Sequence, residues 1–266
     1  MWVDCVVSRV VVVWGVTQLR DVVYVVCDGF SAILRFNATT HERLTDIVVK
    51  GLRNPCDIVA CEQTSQLYVA DWWESVWRVS ADGADIKLWW IKSSVFTSFT
   101  PWSISARSTR LLVTSRHTNQ LMQLDSLGDE LRRVQLPDNM EPLHAVESLT
   151  TTFIVSHKNT PLEQHQISEF NADGQVMRQF TGSRLSPLGC PQHLSVDSHG
   201  NIFVADQHNR RILLLDAQLK LRRLIIDEHQ LNYEQPGRLC YRESTGQLLV
   251  GLANSVSVSV FDVFRR

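Results

Sequence analysis

The chain has 266 residues, enough for one large domain or two ordinary ones, and its 44% hydrophobic and 20% charged residues are the balance of a globular fold with a large core. Twenty-six basic residues against 28 acidic ones leave a net charge of −2, which excludes a chain built chiefly to grip a polyanion. Six cysteines (Cys5, Cys27, Cys56, Cys61, Cys190 and Cys240) form neither a CxxC pair nor a zinc spacing, so buried free thiols in a reducing compartment are expected rather than disulfides.

The N-terminal stretch "MWVDCVVSRVVVVWGV" is apolar but interrupted by Arg9, and Val10 to Val16 is far short of the ~20 residues of a membrane helix. It also lacks a basic start followed by a small-residue cleavage site. A β-strand is predicted, with no membrane insertion and an intracellular, cytoplasmic setting.

The first unit is "DVVYVVCDGFSAILRFN", residues 21 to 37. The second, Asn54 to Gly83, places a Pro before alternating residues, a turn, the apolar run "LYVAD", a short polar loop and a third strand. Thr100 to Gly128 repeats that plan, and "EPLHAVESLTTTFIVSH" supplies a fourth copy. The fullest copy is the fifth, "CPQHLSVDSHGNIFVADQHNRRILLLD", and "QPGRLCYRESTGQLLVGL" is the sixth. The residues closing each second strand are Asp28, Asp71, Ser115, His157, Asp206 and Leu252, spaced by 43, 44, 42, 49 and 46. The turns after each third strand fall at Asn37, Ser80, Asp125, Asn171, Asp216 and Asp262. Two columns with the same six-fold count at a period of ~40–50 residues predict a propeller rather than a helical solenoid.

Strand chemistry agrees. Leu67 to Ala70 and Ile202 to Ala205 are short continuous apolar runs, suited to strands covered on both faces. "SADG", "NADG" and "DSHGN" are turn sequences, and polar stretches such as "LKLRRLII" suit outer edge strands. The last unit supplies three strands, so residues 2–7 are expected to complete it, while about Val10 to Val13 form the first innermost strand. The expected architecture is an all-β, six-bladed β-propeller of four-stranded antiparallel blades, one domain over 1–266, monomeric, with its sixth blade closed by the N-terminal strand.

The fifth unit resembles an NHL repeat through Pro191, Leu194-Ser195-Val196-Asp197, Gly200 to Asp206 and Asn209 to Ile212. The second unit matches through Pro55, Ile58 and Tyr68 to Asp71, and the others match by spacing. The resemblance implies a six-bladed propeller used as a protein- or RNA-binding module, as a sensor domain, or as the lyase of the peptide-amidating system. That lyase holds a metal through channel histidines that directly follow a Pro. His144 and His193 stand one place later here, and a one-residue step on a strand reverses side-chain direction.

Two candidate sites follow. The residues two after each Pro, namely Asp57, Ser103, His144, His193 and Arg238, mark the starts of innermost strands and are expected at the channel mouth, with an apolar residue near Val12 to Trp14 in the first blade. As an enzyme, a lyase or hydrolase, the chain would use His144, His193, Arg238 and Asp57. The imidazoles would converge on a cation or act in catalysis, and Arg238 would hold an anionic group. The plainer reading makes them polar wall residues binding water, with no cofactor and no metal. The second site is the surface of loops after the second strands: Trp72, Trp73, Arg116, His117, His157, Lys158, His208, Arg210 and Arg211. Trp and Arg dominate interface hot spots, and the fourth of these loops is about four residues longer than the rest. A protein or peptide partner is the first expectation. Single-stranded RNA, stacked on the same aromatic and Arg side chains, is the alternative. Against both stands the reading that one Trp packs between blades and the arginines are merely solvated.

Overall fold

The computed structural model describes residues 2–4, 12–73, 75–91, 99–183, 185–255 and 257–263. They form six four-stranded antiparallel sheets arranged in a ring, each an up-and-down meander from the axis outward. The blades start with the innermost strands Val13–Leu19, Pro55–Cys61, Ser103–Arg107, Met140–Glu147, Pro191–Val196 and Pro236–Arg242. The second strands, such as Gln66–Asp71 and Ile202–Asp206, are almost wholly buried, as their continuous apolar runs require. The fourth strands are the most exposed: Val176–Phe180 and Leu221–Ile226 meet solvent along most of their length. Arg and Lys on those edges discourage pairing with another sheet.

The two repeat columns have physical causes. After the third strands, the side chains of Asn37, Asp125, Asn171 and Asp216 accept two or three backbone N–H groups of their own turn. At the ends of second strands, Asp71 accepts from the N–H groups of Arg53, Asn54 and Trp73. Ser115 accepts from Thr100 N–H, and Asp206 from Gly189 and Cys190. In these three blades the side chains tie the loop entering the blade to the loop leaving its second strand, a local alternative to water for backbone donors.

Packing between blades makes the ring one body. Tyr68, Ala70 and Val76 of the second blade interdigitate with Ile104, Leu111 and Val113 of the third. Val25 and Leu34 of the first blade likewise meet Leu249 and Val258 of the sixth. Closure is chemical as well as steric, because Trp2–Asp4 pairs antiparallel with Ser257–Ser259 and supplies the sixth blade's fourth strand. Residues 5–7 of the expected closing strand, Cys5 among them, and residues 10 and 11 of the expected first innermost strand lie outside the described residues, and the described strand runs Val13–Leu19 rather than ending at Val13. Cys56, Cys61, Cys190 and Cys240 carry free thiols. Among the described residues no helix is long and apolar enough to cross a membrane.

The first blade departs from expectation at the axis. The position equivalent to Asp57 is held by Gly15, not by an apolar side chain. A Cβ on Gly15 would lie 2.7 Å from the Ile58 nitrogen and 2.9 Å from Val26 Cγ2, so the first two blades approach through the space it leaves. Gly15→Ala is expected to lower stability by about 1–3 kcal/mol through overpacking, read as a shifted urea midpoint with unchanged slope.

Candidate functional site

Five innermost strands share an irregularity that sequence periodicity hides. The register slips between Val13 and Gly15, Pro55 and Asp57, Pro142 and His144, Pro191 and His193, and Pro236 and Arg238. One residue of each strand is thus left unpaired, as in a β-bulge, which re-aims the side chain that follows. The bulges aim His144 and His193 at the axis, where the spacing after each Pro had placed them. With Gly15, Asp57, Ser103 and Arg238 they form a hub. Asp57, Ser103, His144 and Arg238 are buried, the His193 side chain keeps slight access, 9%, and His144 and His193 lie at the inner end of the channel cavity.

The hub stitches neighbouring blades together. Asp57 Oδ2 accepts the Ile104 N–H of the next blade at 3.0 Å, and its Oδ1 accepts the Ile58 N–H at 2.9 Å. His144 Nδ1 accepts the Leu194 N–H, and His193 Nδ1 accepts the Leu239 N–H, each at 3.3 Å. Arg238 has no acceptor to offer, so it reverses the pattern. Its guanidinium donates to the carbonyls of Trp14 at 2.6 Å, Gly237 at 3.0 Å and Cys56 at 3.2 Å. It reaches from the sixth blade across the first to the second, over the position where Gly15 has no side chain.

These contacts decide the protonation of the imidazoles. A backbone N–H can only donate, so both Nδ1 atoms are acceptors and each ring carries its proton on Nε2. Burial pushes both rings well below the ordinary imidazole value; His193 and Arg238 add to the effect at His144, and Arg238 at His193. The two rings lie 3.7 Å apart, which neutral imidazoles tolerate. Burial also raises the Asp57 carboxyl, against the opposing influence of Arg238 and His144.

Asp57, His144 and His193 have ligand-type atoms within 4.8 Å of one another, the grouping a cation would need. The donor set does not fit one. Metal ligation through Nε2 requires a lone pair there, whereas the Nδ1 contacts fix a proton on that nitrogen, and Arg238 adds a buried positive charge beside it. The Nε2 atoms instead face Asp57 Oδ2 at 3.9 Å and 3.6 Å, too far for hydrogen bonds.

Antiparallel order puts the starts of the innermost strands and the loops after the second strands on one face, here the upper face. An aromatic series runs from hub to surface on that side. Arg238 stacks over Trp14 at 5.3 Å, Trp14 meets Trp102 edge-on at 5.9 Å, and Trp102 meets Trp72 at 5.1 Å. Trp14 and Trp102 occupy the same place in their blades, each directly before a hub residue, Gly15 or Ser103. Sequence reading placed an apolar residue near Val12 to Trp14 at the channel mouth but did not assign Trp102, although its position after Pro101 was a usable signal. At the surface, Trp72 and Trp73 are 39% and 64% exposed, and the Arg53 guanidinium lies 5.5 Å above the Trp73 ring. Trp72, Trp73, Asn54 and Thr100 line a cavity of about 540 Å³.

The remaining loop candidates separate. His117 and His208 are exposed, and Arg210 is half-buried in a left-handed conformation. Arg116 stacks on Trp102 and is paired with Glu141, and Lys158 is paired with Glu163. Two expected contact residues are corrected. His157 is fully buried: the extra length of the fourth loop went into longer strands, Phe153–Asn159 and Gln164–Phe170, which enclose it. Its Nε2 bonds Ser168 Oγ at 2.8 Å, and burial takes its pKa down to about 4. Arg211 is spent internally on Asp206 at 2.7 Å, on Ser186 Oγ and on the Pro187 carbonyl at 3.1 Å. It fastens a small hairpin, Gly182–Ser183 with Ser186–Pro187, to the fifth blade.

No family model matches the chain, and no curated protein matches it. Solved structures do. A structural genomics protein of unknown function from Bacteroides thetaiotaomicron is 14% identical with a TM-score of 0.74, over 97% of this chain and 72% of that one. Virginiamycin B lyase from Staphylococcus aureus is 10% identical with a TM-score of 0.68, over 100% and 89%. The β-propeller domain of Myceliophteria thermophila Cps50 (Swd1) is 11% identical with a TM-score of 0.64, over 94% and 83%. At such identities the likeness carries the fold alone.

Proposed function

We propose that the chain is an NHL-type binding module, a single propeller over 1–266, that takes a protein or peptide segment on its upper face against Trp72, Trp73 and Arg53. The observation that carries this reading is the exposure of two adjacent tryptophans at the rim of a cavity, with a guanidinium stacked on one of them. Exposed large aromatics with an Arg beside them are the residue types that anchor interfaces. The underlying scaffold is rigid: Trp72 rests on Trp102, and Asp71 fixes the loop through three backbone N–H groups. Side chains held in place lose little freedom on binding.

A protein partner is favoured over RNA because Arg116, Lys158 and Arg211 are already neutralised by Glu141, Glu163 and Asp206. The free thiols support an intracellular setting. The reading is tested with a displayed random-peptide library. Peptides enriched on the wild-type chain should lose about 30-fold in affinity on Trp73→Ala combined with Arg53→Ala, measured by fluorescence polarisation. Both side chains are exposed, so the melting temperature should stay within a degree or two. Equal binding to the double variant would sink the proposal, and a steep salt dependence with oligonucleotide competition would favour RNA.

A further inference from the structure

The channel opens on the lower face, among the turns that follow the innermost strands, and forms a cavity of about 490 Å³. That volume lies within the ~300–1,000 Å³ of ordinary small-molecule pockets. Its inner end is the hub, where His144 and His193 line it. We propose that this cavity binds a small, uncharged, oxygen-rich molecule of the polyol or monosaccharide class, entering from the lower face and ending at the Nε2–H of His193. The site is separate from the upper-face surface and does not rest on it.

Hydrogen-bond geometry sets the chemistry. Each innermost strand turns alternate N–H groups toward the axis, and side chains of the preceding blade accept many of them. Hub residues take the first tier, at Ile104, Leu194 and Leu239. Two residues further on, Thr17 Oγ1 accepts the Ala60 N–H at 3.1 Å, and Ser195 Oγ accepts the Tyr241 N–H at 3.0 Å. In two blades that second tier fails. Val59 stands where Thr17 stands and Val146 where Ser195 stands, and hydrocarbon accepts no hydrogen bond. The Ala106 and Val196 N–H groups, two residues beyond Ile104 and Leu194, therefore face the cavity wall with no side-chain acceptor from the blade before. With His193 Nε2–H they make three donors spread along one bore.

An uncharged ligand fits this set best. A carboxylate at His193 would approach the buried Asp57 carboxyl, whose Oδ2 is 3.6 Å from Nε2, and would pass Glu62 and Glu243 at the mouth. A cation would meet three donors, with Arg238 behind them. A hydroxyl accepts from an N–H and donates to an acceptor at once, so several hydroxyls satisfy donors in the wall and the Ser105 hydroxyl and carboxylates along the way.

The test is a titration of wild-type protein, labelled with ¹⁵N, with D-glucose and myo-inositol, and with lactate as the charged counterpart. Saturable shifts of the Ala106 and Val196 amides and of the His193 ring signals are expected with at least one polyol, at the millimolar affinities typical of small polar ligands. Val59→Phe, which narrows the bore without touching the hub, should weaken that response at least tenfold. The assignment is overturned if neither polyol moves these three signals, if lactate does so more strongly, or if the shifts survive in a folded Val59→Phe variant. Should Val59→Phe not fold, the wild-type titration alone decides.

Discussion

Replacing Arg238 by Met should destabilise the propeller by about 3–5 kcal/mol, the loss typical of removing one partner from a buried charged network. Three carbonyls, on Trp14, Gly237 and Cys56, lose their donor together, and they belong to three consecutive blades. The Asp57 carboxyl loses the cation that opposes its desolvation. Arg238→Lys should recover only part of the loss, since an ammonium cannot serve three carbonyls with the fixed fork of a guanidinium. Urea unfolding gives the measurement. Adding Asp57→Asn to Arg238→Met should cost less than the sum of the single changes, because the second substitution removes the stranded charge. Strict additivity would mean that the two groups do not act as one network.

Acid should be the second strong lever. His144 and His193 have folded pKa values well below the ordinary imidazole value, and His157 sits at about 4. Below pH 6.5 the unfolded chain takes up protons that these rings refuse in the folded state. Their stabilisation is therefore complete above about 6.5 and is lost progressively as the pH falls. By pH 5 His157 alone accounts for about 2 kcal/mol of lost stability, and His144 and His193 act in the same direction. Asp57 acts in the opposite sense, since its carboxyl is raised by burial and acid relieves it. Three imidazoles set against one carboxyl give the fall its direction, and a loss of a few kcal/mol is a large share of the ~5–15 kcal/mol of a whole domain. Melting temperature followed from pH 8 to pH 5 should fall steeply, and His193→Gln, whose amide oxygen can still accept the Leu239 N–H, should flatten the slope. A flat profile would show that the hub rings are not held neutral.

The six-fold count was legible because four of the repeats reuse the same turn chemistry. Asn37, Asp125, Asn171 and Asp216 stand at one turn position because a short side-chain oxygen there satisfies the following N–H groups. The apolar runs at 67–70 and 202–205 announced strands covered on both sides. The five hub positions two after each Pro were legible as channel residues, but their burial and the bulges that aim them were not, for an equally physical reason. A bulge adds one residue without altering composition, so the pattern around Pro191 and His193 reads as simple alternation while the backbone has turned the ring toward the axis. His157 misled for a related reason: an insertion seen as loop was absorbed as two longer strands. Arg211 was counted with the exposed cations, although its acceptors come from a hairpin some 25 residues earlier.

Trp2 pairs with Ser259, so one edge of the sixth blade joins segments more than 250 residues apart. Few contacts in a chain of this size span more sequence, and contacts of such separation form slowly. During synthesis the early strand has no partner until the sixth blade's other strands have been made. Five blades can stack progressively, each on its predecessor, while the ring stays open at one seam. Closing that seam is then the last event in assembly, and a nick in a lower-face turn would add a second break to the ring rather than replace this one.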